Sequence, residues 1–89
     1  MLRITKVAAD PSLTTLKLEG RIVSDWVSLL ERECLTLLQD KHKVLLDLSD
    51  VLFIDGRGVE MLRRIAGENL KVVNSSAFIE SLLRGEGNQ

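Results

Sequence analysis

The residues that could do chemistry gather near the middle of the chain. Asp47, Asp50 and Asp55 stand close together in VLLDLSDVLFIDGRG, residues 44–58, which closes on Asp55, Gly56, Arg57 and Gly58. Three carboxylates bind a divalent cation only when their oxygens converge into a cage. Here Asp47 and Asp55 are expected at opposite ends of a strand and its following loop, so no metal site is predicted. The loop DGRG is too short for a dinucleotide fingerprint or a GxxxxGK phosphate loop. What it offers is more modest. Gly56 and Gly58 permit backbone conformations that other residues resist. A helix starting near Arg57 exposes free amide hydrogens that favour an anion, and Arg57 adds a fixed fork of donors. The bland alternative stays open: the glycines serve only the turn, and Arg57 is a solvated surface side chain.

Other reactive residues lack partners in the sequence. Cys34 cannot form an intramolecular disulfide, being the single cysteine. It sits inside a helical pattern away from any histidine, which reads as a buried structural thiol in a reducing compartment. His42 falls between two lysines and reads as a solvated turn residue, with no second histidine to complete a metal site. Ser75 and Ser76 suit the start of a helix better than modification. Together these residues give no nucleophile with a base, no metal cage and no cofactor motif, so the chain reads as a non-enzyme.

Composition narrows the partners. Twelve Lys and Arg against thirteen Asp and Glu give a formal net charge of -1, which argues against a nucleic-acid partner. The aromatics are only Trp26, Phe53 and Phe78, which supply no stacking platform for bases and are expected in the core. No apolar stretch has membrane-spanning length, and MLRITKV alternates and carries charge, unlike a signal peptide. The reading is a cytoplasmic protein without membrane insertion. At 89 residues it is one small domain, residues 1–85, with a frayed tail over 86–89.

The elements follow from periodicity. Leu2, Ile4 and Val7 alternate with polar residues, as do Leu16 and Leu18 within Leu13 to Glu19; a turn around Asp10 and Pro11 makes these two segments an antiparallel hairpin. Gly20 is expected to end the second strand. Ser24 or Asp25 then caps a helix reaching about Asp40, whose apolar residues Val27, Leu30, Cys34 and Leu37 or Leu38 recur every three or four positions. Val44 to Leu48 is nearly continuous in apolar character and suggests a strand covered on both faces, parallel to an earlier strand. Val59, Leu62, Ile65 and Ala66 mark a second helix of about ten residues that stops at Gly67. Leu70 to Val73 is a short strand. Phe78, Ile79, Leu82 and Leu83 define a last helix ending at Gly85.

With these residues in place, the middle of the chain resembles the STAS domain, shared by bacterial anti-sigma factor antagonists and the cytoplasmic tails of sulfate transporters. Asp47, Leu48 and Ser49 match the family's central strand end, and Phe53, Ile54, Asp55 and Gly58 match its loop. Leu18, Glu19, Gly20 and Ile22 are similar to its second strand and turn, and Val72, Val73 and Asn74 to the strand entering its third helix. The resemblance implies an α/β fold with a mixed four-stranded sheet, element order β-β-α-β-α-β-α, and helices packed largely on one face. It implies a regulatory module that binds a protein partner, an anti-sigma factor or kinase-like protein, through Asp55, Gly56, Arg57, Gly58, Glu60 and Met61. Two alternatives stay open: a nucleotide or small-anion sensor using Gly56, Arg57 and Gly58, and the STAS subunit of an ATP-driven lipid-transport complex, whose partner is the ATPase. Two departures stand out. The family's antagonists are switched by phosphorylation of the second of two paired serines, and here Gly56 and Arg57 occupy the pair. A guanidinium accepts no phosphoryl group and carries the opposite charge to phosphoserine. The family also usually continues into another strand and helix, so a sheet edge or helix surface is left for a homodimer to cover.

Overall fold

The computed structural model describes residues 1–9, 11–40 and 42–85. The turn at Asp10 and the tail 86–89 lie outside the described residues. Strands β1 (Leu2–Ala9) and β2 (Leu13–Ile22) are followed by helix α1 (Asp25–Gln39) and strand β3 (Lys43–Ile54). Helix α2 (Gly56–Ile65), strand β4 (Leu70–Val73) and helix α3 (Ala77–Arg84) complete the order expected from the periodicity. The strands form one mixed sheet in the order β1-β2-β3-β4, with β1 antiparallel to β2 and the other neighbours parallel.

The core lies between one face of this sheet and the helices. Leu16 and Leu18 of β2, Val44, Leu46 and Leu48 of β3, and Leu70 of β4 point into it and meet Val27, Leu30 and Cys34 of α1, Met61 and Leu62 of α2 and Ile79 of α3. The opposite face carries Thr15, Lys17, Leu45 and Asp47, all half-buried. β3 is therefore not covered on both faces. Its near-continuous apolar run reflects Leu45 alone on the open side, shielded only by its neighbours within the sheet.

The two apolar runs on either side of Ser49 and Asp50 are one strand, and its second half departs from regular pairing. Lys17 pairs with Asp47 but Glu19 with Asp50, and Gly20 pairs with Val51 but Arg21 with Phe53. At each shift β3 spends one more residue than β2, the definition of a bulge. The consequence is visible in burial. From Val44 to Leu48 every second residue is buried, but from Leu48 onward the buried residues are Val51 and Ile54, every third. Leu52 and Phe53 are exposed in succession, so Phe53 is not the core residue expected of it. Phe78 is exposed too and stacks on Phe53, ring centroids 6.3 Å apart. Trp26 alone of the aromatics packs against the core.

Further expectations are corrected at element ends. β2 runs through Gly20 to Ile22. Gly20 has φ +105°, and a Cβ there would fall against the carbonyl oxygen of Met1, so glycine lets the N-terminal strand close over β2 without ending it. Val7 is exposed at a shift in the β1 register between Lys6 and Ala8. Helix α2 stops where Ala66 turns extended, and Gly67 plays no left-handed capping part, its φ not being positive. Gly85 does take that part for α3, with its N–H bonded to Leu82 and Ser81 carbonyls.

Candidate functional site

Asp55 holds the loop together. It is the N-cap of α2, where its extended backbone frees the side chain to turn back: Oδ1 accepts from the Gly58 N–H at 2.8 Å. Oδ2 accepts from the Ser24 N–H at 3.0 Å, and the Asp55 N–H donates to the Ile22 carbonyl at 3.1 Å. One carboxylate thus ties the start of α1 to the start of α2. The Ser24 N–H foremost, then the Gly58 N–H and the nearby Arg57 charge, hold its pKa below the usual carboxylate value.

This arrangement changes the expected roles of the neighbours. Ser24 stands at the N-cap of α1, but its side chain makes no capping bond. Its backbone is the functional part, held at φ 53° and ψ -130° in a turn closed by the Trp26 N–H on the Val23 carbonyl at 3.0 Å. Neither Gly56 nor Gly58 has positive φ, so neither is required for an unusual backbone. Gly58 is required for space: a Cβ there would lie 2.7 Å from Ile54 Cγ1 and 3.1 Å from the Ile22 carbonyl oxygen. A Cβ at Gly56 would meet nothing within 4 Å. Gly56, Arg57 and Glu60 are exposed, whereas Met61 is buried with its side chain 1% accessible and cannot be a surface contact. The amphipathic turn of α2 sends Met61 inward next to Leu62, and the thioether fills core space.

The α2 N-terminus is also not a vacant anion site. The Gly58 N–H is taken by Asp55, and a carboxylate already sits where an anion would dock, which supplies the charge that the helix dipole favours. Of the trio Gly56, Arg57 and Gly58, only the first two face solvent.

The other acids are dispersed. Asp47 accepts from the Ser49 N–H at 3.0 Å, an Asx-type turn at the first bulge of β3. That bond, chiefly, lowers its pKa. Asp50 pairs with Lys17 at 3.1 Å and raises the lysine's pKa through that hydrogen bond. No three His, Cys, Asp or Glu side chains converge as a metal site among the described residues. Cys34 is fully buried, and burial pushes its pKa up to about 12. His42 is half-buried, and its Nδ1 is buried without a hydrogen-bond partner among the described residues; it is not a solvated turn residue. Ser76 caps α3, its Oγ accepting from the Ile79 N–H at 3.2 Å.

Two features escaped the periodicity. The Phe53 and Phe78 pair was hidden because aromatic residue type suggests burial, whereas the two-residue period of Val44, Leu46 and Leu48, carried on without a bulge, turns Leu52 inward and Phe53 outward. The spacing Leu48, Val51, Ile54 is the signal that would have exposed the bulges. The second feature is a groove of about 450 Å³ between α2, β4 and α3, floored by Leu62, Leu70 and Leu83. On its rim Arg63 Nε donates to the Leu83 carbonyl at 2.7 Å, closing the end of α3.

No family model matches the sequence, and no curated protein matches it significantly. Solved structures do match in three dimensions. The anti-sigma factor antagonist SpoIIAA in its unphosphorylated form superposes with a TM-score of 0.69 at 15% identity, covering 92% of this chain and 82% of that one. An anti-sigma factor antagonist from Mycobacterium paratuberculosis gives 0.69 at 17% identity, covering 99% of this chain and 81% of that one. The chain has the STAS-domain fold. A STAS domain from Rhodobacter sphaeroides adds a TM-score of 0.59 at 17% identity over 82% of this chain and 86% of that one. At these identities it is the STAS fold that is shared, and the loop at Asp55 must be read from its own residues. No helix among the described residues is long and apolar enough to cross a membrane.

Proposed function

We propose that this chain is a non-enzymatic regulatory module that docks a protein partner through the loop 55–58 and the exposed side of α2, without a phosphorylation switch at position 57. The observation that carries this reading is the double use of Asp55. By bonding the starts of both α1 and α2 it holds the loop in one shape, with Gly56 and Arg57 facing outward and no catalytic group beside them. A rigid, solvent-facing loop on a packed scaffold is a recognition surface. All three fold neighbours named above are anti-sigma factor antagonists, which makes an anti-sigma factor the leading class of partner. The ATPase of a transport complex is the alternative class.

Within this reading Arg57 is a constitutive charge where the resembling family carries a switchable serine. Glu60, one turn on, completes the exposed side, and Met61 supports it from the core. The anion-sensor reading loses its main support, because Asp55 occupies the helix start that an anion would need.

The test is capture from the native cell with wild type and Arg57→Glu in parallel, followed by calorimetry of the captured partner with the purified proteins. An interface centred on the loop requires the substitution to weaken binding several-fold or more. Equal affinity of both proteins would remove the loop from the interface.

A further inference from the structure

Resting on the docking reading just given, we infer that the interface has an apolar anchor next to the loop, formed by Leu52, Phe53 and Phe78 and flanked by Arg21 and Arg57, and that it takes a partner segment of apolar side chains interspersed with carboxylates. The second bulge of β3 turns Leu52 and Phe53 out in succession, and Phe78, in the first turn of α3, lies against Phe53. Leu52 is 71% exposed and Phe78 54%. A small domain gains nothing in its own stability by leaving a leucine and two phenylalanines in water together, and a grouped apolar patch on a soluble surface marks a contact site. Aromatic side chains at the centre of a patch are the usual anchors of protein interfaces.

The charges beside the patch select the partner. Arg21 is the register neighbour of Phe53 across β2 and β3, and Arg57 follows Phe53 by the strand end and the first turn of α2. Both are exposed, and neither makes an ion pair among the described residues. The acid on the loop, Asp55, has both oxygens turned to backbone N–H groups. Asp50 and Glu80, near Leu52 and Phe78 in the chain, are paired with Lys17 and Arg84, and Glu60 lies a further turn along α2. The charges left beside Phe53 are thus the two guanidinium groups, which favours a partner bearing carboxylates at its rim. A second copy of this chain would bring the same two guanidinium groups to the contact.

The experiment titrates the full isotope-labelled chain with three short synthetic peptides in which Leu and Phe alternate with Glu, with Lys or with Ser. The Glu peptide is expected to bind saturably, with amide shifts around residues 21, 52–53, 57 and 78. Leu52→Ser and Arg21→Glu, each first checked for a native spectrum, should weaken it at least fivefold, and the Lys peptide should bind at least tenfold more weakly. Equal or tighter binding of the Lys peptide overturns the inference, as does absence of binding by the Glu peptide. Shifts confined to residues 56–60 overturn it while leaving the docking reading intact. Concentration-dependent dimerisation abolished by Leu52→Ser identifies a second copy as the occupant and likewise overturns it.

Discussion

Asp55 is a single carboxylate with two backbone donors from different helices, so its removal should be felt at both. A capping side chain is worth about 1 kcal/mol, and a hydrogen bond to a charged group about 1.5–3 kcal/mol. Asp55→Ala is expected to lower urea-unfolding stability by about 2 kcal/mol. The same carboxylate gives a pH dependence of definite sign. Its folded pKa lies below the unfolded value, which is about 3.9. Its contribution is therefore complete above that value and is lost as pH falls through the folded pKa. Wild type minus Asp55→Asn, measured by urea unfolding from pH 7 down to pH 2.5, should shrink across that acid range. A difference that stays constant would mean that the charge does not matter. The two loop glycines should separate just as clearly. Gly58→Ala forces a Cβ against Ile54 and Ile22 and should cost about 1–3 kcal/mol. Gly56→Ala enters open space in a helical first turn and should be neutral or stabilising by up to about 1 kcal/mol. A thermal melt of each variant decides it, and a stable Gly58→Ala would show that the loop is not packed as described.

At the scale of elements, the helix starts show what could and could not be read from residue types. Ser24 and Ser76 look alike in sequence, each a serine just before a helical pattern. Ser76 takes extended backbone and caps α3 with its side chain, whereas Ser24 sits at φ 53° and serves through its backbone alone, its carbonyl accepting from the Val27 N–H of α1 and its N–H donated to Asp55. Ser76→Ala should therefore cost about 1 kcal/mol. Ser24→Gly should stabilise, because a non-glycine residue held at positive φ in a sparsely populated region costs about 1–3 kcal/mol. Chemical denaturation of both variants checks the pair, and destabilisation by Ser24→Gly would refute the strained turn. The difference was not legible because it depends on a contact with Asp55, 31 positions away. Helix existence and order were legible because the periodic apolar residues Val27, Leu30 and Cys34, or Val59 and Leu62, record one buried stripe each. The bulges of β3 were not: each is a pairing of two residues against one, a property of two strands together. Read along β3 alone, the strand seemed to end at Leu48 ahead of Ser49 and Asp50, and on α2 the buried Met61 was expected among the partner contacts.

The whole molecule rests on one layer of helices over one face of the sheet, and Cys34 lies at the centre of that contact. It is fully inaccessible in the middle of α1, and burial foremost, with the Glu33 and Glu31 charges adding to it, drives its pKa to about 12. Two conditions for thiol chemistry, access and ionisation, are thus withheld by the same packing. Local fraying of α1 at either end does not reach it, and Arg64 on α2 pairs with Glu31 at 2.7 Å, tying the neighbouring helix to the same turn. Exposure of the thiol then requires α1 to leave the sheet, which removes Val27 and Leu30 from the core and, at its first turn, the Ser24 bond to Asp55. For a domain of this size such an opening is nearly global unfolding. Labelling by a thiol-reactive disulfide reagent at pH 8 is expected to run in proportion to the unfolded fraction measured by urea titration. Asp55→Ala, with about 2 kcal/mol less stability, should speed it about thirtyfold when reclosing outpaces labelling. Rapid labelling of the native protein, or a rate indifferent to Asp55→Ala, would show that α1 opens by itself and that the two helix starts are not coupled through the carboxylate.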